Sequence, residues 1–242
     1  MRLASVPGSA LLLAAVLGAP ALAQTAIRPA DPAFDAARIV PGVRRSTIRL
    51  LAPMQQDIGT ITETTTVAGD RITSVTRLAV SMGNQAQTDS LVATWPGLAP
   101  VFASTVRSGA GGARTESATF AGTTAATRVV ASGTTTDSTR TLAEPVFSSG
   151  WTGEIVRMLP LAPDYRGTFT VLDAGDGLVP MTATVTGSET VSTPAGPVEA
   201  WTVDTVRPDQ TMTYVVAKDT GALLARRFAP QPGALVEIVP AP

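Results

Sequence analysis

The chain has 242 residues, a formal net charge of −1, and neither histidine nor cysteine. Without those two residue types it cannot form a Ser-His-Asp or Cys-His catalytic group, or a zinc site with the usual nitrogen and sulfur ligands. Scattered charges of both signs also argue against a nucleic-acid partner and against a polybasic membrane patch. We therefore expect a non-enzymatic protein without a cofactor or a metal ion.

The N-terminus carries the pattern of a secretory signal peptide. Arg2 precedes the apolar stretch ALLLAAVLGAPALA, and the small residues Ala21 and Ala23 precede Gln24. That stretch is shorter and more broken than the roughly 20 apolar residues that span a bilayer. The pattern predicts a signal peptide over residues 1–23, cleavage after Ala23, and export to the periplasm or the medium.

The rest of the chain reads as an arm followed by one β domain. Residues 24–42 mix proline with small residues, which indicates an N-terminal arm or linker. From residue 43 onward, turn-forming residues recur at intervals of roughly 8–12 residues. Residues 43–242 are therefore predicted to form a mostly β domain with a single curved antiparallel meander sheet. It would be a half-open barrel of about 10–11 strands.

Alternation along the segments predicts one apolar and one threonine-rich face of the sheet. Each apolar set recurs at every second residue, which places its members on one side of a strand. The chain has two Tyr and three Trp, too few for the two aromatic girdles of a transmembrane barrel, so we expect the mature chain not to span a membrane. The apolar sets are Met181, Ala183 and Val185; Trp201 and Val203; and Met212, Tyr214 and Val216.

The stretch VFSSGWTGEIVRMLPL, residues 146–161, predicts a central amphipathic helix over about 148–159. Ser148 or Ser149 is the expected N-cap, and Arg157 is expected to face away from the apolar stripe. The helix would cover the concave face of the sheet. Two interpretations remain open, a plug that closes the core and a wall of a cavity for an apolar ligand. The candidate ligand-lining residues are Trp151, Ile155, Met158 and Leu159.

Three segments between Pro145 and Phe228 carry a resemblance to known proteins: EPVFSSGWTGEIVRMLPL, VTGSETVSTPAGPVEAWTV and YVVAKDTGALLARRF. They resemble uncharacterised exported bacterial β domains with an architecture like the lipoprotein-localisation carriers (LolA/LolB-like). The resemblance covers a little over a third of the chain. It implies a strongly curved half-open sheet with a helix against its concave side, and in the carriers that cavity receives acyl chains.

Two acidic motifs are interpreted as turns. Asp219-Thr220-Gly221 spells the triplet of aspartic proteases, but that chemistry needs two such aspartates. Residues 173–177, DAGDG, lack the ligand spacing of an EF-hand loop. No metal ligands are predicted in either segment.

The remaining charged residues are expected on solvated strand surfaces. Glu189, Glu199 and Asp204 lie on neighbouring predicted strands, where a close carboxylate pair would be the one route to a glycoside-hydrolase-like site. The pairs Arg44-Arg45 and Arg226-Arg227 are expected to protect strand edges.

These observations predict a non-enzymatic exported protein that binds an apolar ligand, a lipid or an acyl chain, in the concave face of the sheet. The alternative is a structural or interaction module of the cell envelope with a sealed core. A carboxylate-dependent hydrolase is a distant third. No pattern in the sequence indicates an oligomeric state.

Overall fold

Sixteen strands, all hydrogen-bonded into one sheet, account for most of residues 25–241, the part of the chain that the computed structural model describes. The predicted signal peptide, residues 1–23, lies outside the described residues. The strands are β1 (Thr25–Ala26), β2 (Gly42–Ala52), β3 (Gln56–Ala68), β4 (Arg71–Val80), β5 (Gln85–Thr94), β6 (Pro100–Ser108), β7 (Arg114–Ala121), β8 (Thr124–Ala131), β9 (Thr134–Thr141), β10 (Phe147–Ser148), β11 (Arg166–Asp173), β12 (Gly177–Thr193), β13 (Gly196–Arg207), β14 (Gln210–Ala217), β15 (Leu223–Phe228) and β16 (Leu235–Pro240).

The sheet is a curved meander that does not close into a barrel, which confirms the predicted fold class. The predicted number of about 10–11 strands is too low, since β2 to β9 precede the helix, β11 to β16 follow it, and two short strands, β1 and β10, add to them. Two short strands also pair parallel rather than antiparallel. Both β1 and β10 add to the outer edge of β11 in this way.

The order of strands in the sheet differs from their order in the chain. The sheet runs β11 to β16, then β2 to β9, because the last strand, β16, pairs antiparallel with β2. Strands β9 and β11 therefore lie at opposite ends of the main path, although they follow each other closely in sequence. The segment between them, which contains the helix, has to cross from one end of the curved sheet to the other.

The predicted alternation of faces is confirmed in the C-terminal half of the sheet. Val203 pairs with Tyr214 across β13 and β14, and Thr205 pairs with Met212 two residues further along. Paired residues of an antiparallel ladder point to the same face. Apolar residues of this face pack into the main core, among them Met181, Ala183, Val185, Val203, Tyr214 and Val216.

The helix is short and begins with a tighter turn. Ser149–Trp151 form a 3₁₀ turn and Thr152–Met158 form the α-helix α1, which ends at Leu159 in extended conformation. Ser148 is the N-cap residue of the 3₁₀ turn, one of the two serines predicted for that position, and Trp151 is the N-cap residue of α1. Neither side chain makes a capping hydrogen bond, and the Ser149 hydroxyl donates to Asp173 Oδ2 at 3.0 Å.

Helix α1 lies inside the curve of the sheet, between walls that are far apart in strand order. A methyl group on Gly150 would lie 2.7 Å from Leu91 Cδ1 of β5, and one on Gly153 would lie 3.6 Å from Tyr214 Cε1 of β14. Gly150 therefore allows close packing against β5, and Gly153 lies at an ordinary contact distance from β14. Packing against the walls holds this short helix in place, since seven residues, one of them glycine, give little intrinsic helix stability.

Residues 25–41 pack on the domain beside the helix. Ile27 and Ile39 are buried in the main core. The backbone N–H of Asp35 donates to the carbonyl oxygen of Met158 at 2.9 Å, which satisfies one of the free carbonyls at the C-terminal end of the helix. Among the described residues there is no helix with the length and apolar character needed to cross a membrane.

Candidate functional site

The four predicted ligand-lining residues lie in the core. Trp151, Ile155 and Met158 are completely buried, and Leu159 is 1% exposed. They pack together with strands from both halves of the sheet in the main core cluster. Their role in ligand binding stays a prediction. The open space beside the helix is bordered by other residues of the helix region.

Two adjoining cavities lie on the concave side of the sheet, next to the start of the helix. The first has a volume of about 210 Å³ and the second about 330 Å³. Their walls have Ser149, Gly150, Arg207 and Met212 in common. We call them the inner cavity and the outer cavity, respectively. Because they have four wall residues in common, together they form a site within the usual size range of small-ligand pockets.

The inner cavity is bordered by a buried cluster of charged residues. Glu63 of β3 and Glu154 of α1 are both buried, and both accept hydrogen bonds from the same nitrogen, Nη2, of Arg44. The Arg44–Glu154 contact is 3.1 Å long. Arg44 and Glu63 are directly paired residues of β2 and β3, so the sheet register itself brings them together. One arginine thus joins the helix to the wall of the sheet.

The two carboxylates of this cluster respond differently to their surroundings. Burial by itself would raise the pKa of Glu63, but Arg44, with help from Arg226 and Thr65, outweighs burial and lowers it. Burial raises the pKa of Glu154, and the neighbouring Glu63 carboxylate raises it further. The chain therefore holds two nearby carboxylates, one kept ionised and the other biased towards its neutral form.

Arg157 is predicted to face away from the apolar stripe, and its side chain is buried by other segments rather than exposed to solvent. Its Nε donates to the carbonyl oxygen of Gly221 at 2.9 Å, and its Nη2 donates to the carbonyl oxygen of Arg38. Burial lowers the pKa of Arg157 to about 10, and the nearby Arg44 contributes. The helix is amphipathic in sequence, but its polar side also faces protein.

The prediction that the two arginine pairs protect strand edges is also wrong, because β2 and β15 lie inside the sheet. The two members of the second pair point to opposite faces. Arg226 lies between Tyr214 and Ile238 in the strand register and lines the inner cavity. Arg227 binds Glu189 and Glu237 on the outer face, at 2.8 Å and 2.9 Å.

The predicted surface carboxylates form their own separate contacts and do not meet. Glu189 accepts from Arg227, Glu199 from Thr190, and Asp204 from Thr213. The two acidic motifs are turns, as predicted: Asp173 accepts from the backbone N–H groups of residues 175 and 176, and residues 218–222 connect β14 to β15. No cluster of metal-ligating side chains occurs within residues 25–241.

Sequence reasoning missed Glu63, Glu154 and Arg226, although the pattern contained signals for two of them. Glu154 lies three residues after Trp151 and four residues before Met158, so it belongs to the same side of the helix as the apolar stripe. Glu63 follows Ile61 at the strand period of two and therefore points inward. A charged residue at an inward position of a strand or helix indicates a buried charge with a partner, because charged residues are rarely buried without one.

Comparison with known proteins supports the fold. The family described as "Protein of unknown function (DUF3108)" matches residues 48–228, about three quarters of the chain. The chain belongs to the DUF3108 family. No curated protein matches its sequence.

Two solved structures are similar to this DUF3108 domain. One is a beta-barrel-like protein of the domain of unknown function DUF1849 from Brucella abortus, with a TM-score of 0.53 and 11% identity over 84% of this chain and 97% of that one. The other is the hypothetical lipoprotein YmcC from Escherichia coli, with a TM-score of 0.35 and 14% identity over 84% of this chain and 87% of that one. The first shows a shared fold. The second is too distant to show a shared fold, so the resemblance to lipoprotein-localisation carriers stays a prediction.

Proposed function

We propose that this protein is a non-enzymatic, exported binding domain that holds a small amphiphilic ligand in the inner and outer cavities. The observation that carries the proposal is the pair of cavities with common wall residues, inside the curve of the sheet and against the helix. Pockets formed between a helix and the mouth of a curved sheet are common places for small ligands. Export rests on the signal-peptide pattern of residues 1–23.

The walls of the cavities favour an amphiphile over a purely apolar molecule. Val171, Met181 and Met212 supply apolar surface to the inner cavity, and Leu91 and Leu172 supply it to the outer one. The remaining walls are rich in charged and hydroxyl groups. A ligand without polar groups would remove those side chains from water without replacing their hydrogen bonds, which is unfavourable.

A structural module with a sealed core is the second candidate, and the burial of the helix favours it. Trp151, Ile155 and Met158 are completely buried and complete the main core. A helix in this position closes the sheet whether or not a ligand binds beside it. In that case the cavities are packing gaps that no ligand enters.

Native protein, purified from its own periplasm, distinguishes the two candidates. Solvent extraction and mass spectrometry should release an amphiphilic molecule if the domain carries one. Calorimetric titration of stripped protein with the fatty acid laurate and with dodecanol should then show saturable binding of at least one of them. If nothing co-purifies and neither compound binds, the sealed module is the correct function.

A matched pair of variants locates the binding to the cavities. Gln210 lines the inner cavity, whereas the next residue, Thr211, is exposed on the opposite face of β14. Gln210→Phe should narrow the cavity and weaken binding, and Thr211→Phe should leave it unchanged. Equal binding by both variants would place the ligand elsewhere on the protein.

A further inference from the structure

The charged groups at and next to the inner cavity carry more positive than negative charge. Glu63, Glu154 and Arg226 line the cavity, and Arg44 and Arg157 lie near the two carboxylates. Arg157 and both glutamates are buried, whereas Arg44 and Arg226 are partly buried. Burial and Glu63 raise the pKa of Glu154, which favours its neutral form and increases the imbalance. An unbalanced charge that is largely removed from water is costly, so this site favours the arrival of an anion.

The excess charge lies at Arg226. Arg44 is bonded to both carboxylates, and Arg157 is satisfied by two backbone carbonyls. Within residues 25–241, Arg226 makes no hydrogen bond. Its Nη2 lies 3.9 Å from Glu63 Oε2, beyond hydrogen-bond distance, and its buried Nε has no partner.

The other arginine that lines the inner cavity already donates hydrogen bonds to two carboxylates. Arg207 donates from Nη2 to Asp176 at 2.8 Å and from Nε to Asp209 at 2.7 Å. It therefore borders both cavities as a neutralised side chain. Among the residues that the structure describes, Arg226 is the guanidinium of the inner cavity whose donors have no hydrogen-bonded partner.

We infer that Arg226 binds an anionic group of the ligand, a carboxylate or a phosphate, inside the curve of the sheet. This inference rests on the proposed function and names the chemistry of the polar end of the amphiphile. A guanidinium presents a planar set of donors that suits both anions, and charge-assisted hydrogen bonds of this kind are strong. Met181 and Met212, which also line the inner cavity, are placed to contact the apolar part of the molecule.

Calorimetric titration with three probes tests the inference: laurate, dodecanol and inorganic phosphate. Laurate and dodecanol have the same chain length and differ in the charge of the polar end. Wild-type protein should bind laurate roughly 10-fold or more tightly than dodecanol, as expected for charge-assisted contacts. Arg226→Gln should remove that difference by weakening laurate binding and leaving dodecanol binding unchanged.

Arg227→Gln is the matched control, because the neighbouring arginine points to the outer face and should leave binding of every probe at the wild-type level. Arg226→Lys keeps the charge and should retain part of the preference for laurate. Circular dichroism checks that each variant is folded. If Arg226→Gln does not fold, the comparison of laurate with dodecanol on the wild type still decides the question.

The outcomes distinguish a failure of anion binding by Arg226 from a failure of the proposed amphiphile-binding function. Equal affinity of the wild type for laurate and dodecanol would refute a role for Arg226 in anion binding but preserve an amphiphile site. Binding of inorganic phosphate that depends on Arg226, without binding of either dodecyl compound, would support the anion site and refute the amphiphile. If no probe binds, both fail.

Discussion

Arg157 and Gly221 are joined by a hydrogen bond of 2.9 Å, from the guanidinium Nε to the backbone carbonyl oxygen. This bond ties helix α1 to the turn between β14 and β15. A second bond from the same guanidinium reaches the backbone of residue 38 in the N-terminal segment. A side chain that looks like the solvent-facing part of an amphipathic helix is therefore a buried connector of three segments.

Replacing Arg157 should destabilise the fold more than its polarity suggests. Arg157→Met keeps much of the side-chain length but removes the donors of the buried Gly221 carbonyl and the partly buried Arg38 carbonyl, so the free energy of unfolding should fall by about 1–3 kcal/mol. Urea denaturation followed by circular dichroism measures the change. The control is Arg166→Met, at an exposed position of β11, which should have little effect. Equal losses would mean that the bonds of Arg157 contribute nothing specific.

Replacing either of the two glutamates that bind Arg44 with glutamine should change the stability of the protein at neutral pH, in opposite directions for the two residues. The pKa of Glu63 is lowered in the folded protein, because Arg44 outweighs burial, so its ionised form stabilises the fold above the ordinary value of 4.5. The stability from Glu63 is lost as the pH falls through its lowered pKa. Glu63→Gln should therefore reduce stability at neutral pH.

The stability that Glu154 contributes should depend on pH in the opposite direction to that of Glu63. Its pKa is raised above the ordinary value of 4.5 by burial and by Glu63, so the folded state binds the proton more tightly than the unfolded chain does. The stability that Glu154 contributes is present below about pH 4.5 and declines as the pH rises towards its folded pKa. Glu154→Gln should remove this decline, so the stability of the variant relative to the wild type should improve as the pH rises from about 4.5 to neutral. Urea titrations across that range would contradict the assignment if the difference stayed constant.

Two glycines of the helix region should respond oppositely to alanine. At Gly150 a methyl group would lie 2.7 Å from Leu91 Cδ1, so Gly150→Ala should cost about 1–3 kcal/mol by overpacking. At Gly153 the nearest atom is Tyr214 Cε1 at 3.6 Å, an ordinary contact, so Gly153→Ala should gain about 0.5–1 kcal/mol from helix propensity. Thermal unfolding of both variants tests the position of the helix between its walls. The same sign for both would contradict that position.

Substitution of Trp151 tests whether its side chain is part of the core or lines a ligand cavity. Trp151→Ala should cost about 3–5 kcal/mol if the ring is part of the core, as its complete burial indicates. The indole Nε1 is buried and has no hydrogen-bond partner within residues 25–241, so Trp151→Phe removes an unsatisfied donor and should cost less than about 2 kcal/mol. A small loss for Trp151→Ala would instead support a ligand-lining role. The fluorescence of Trp151, isolated by replacing Trp95 and Trp201 with Phe, should then respond to laurate.

The sequence by itself determined the local structure of this protein. Turn residues at short intervals and two-residue alternation specify antiparallel strands and the inward side of each, and the spacing from Trp151 to Leu159 specifies one helix. These are properties of neighbouring residues. For the same reason, the alternation of Met212, Tyr214 and Val216 predicted their shared face correctly.

Only the tertiary structure decided which distant segments meet. Pairing of β16 with β2 reorders the strands, sends residues 142–165 across the inside of the sheet, and surrounds the helix on all sides. Nothing local in the sequence encodes that pairing, because it depends on the curvature of the whole sheet. It is this arrangement that buries Arg157, brings Glu154 to Arg44 across 110 residues, and leaves Arg226 facing a cavity rather than a strand edge.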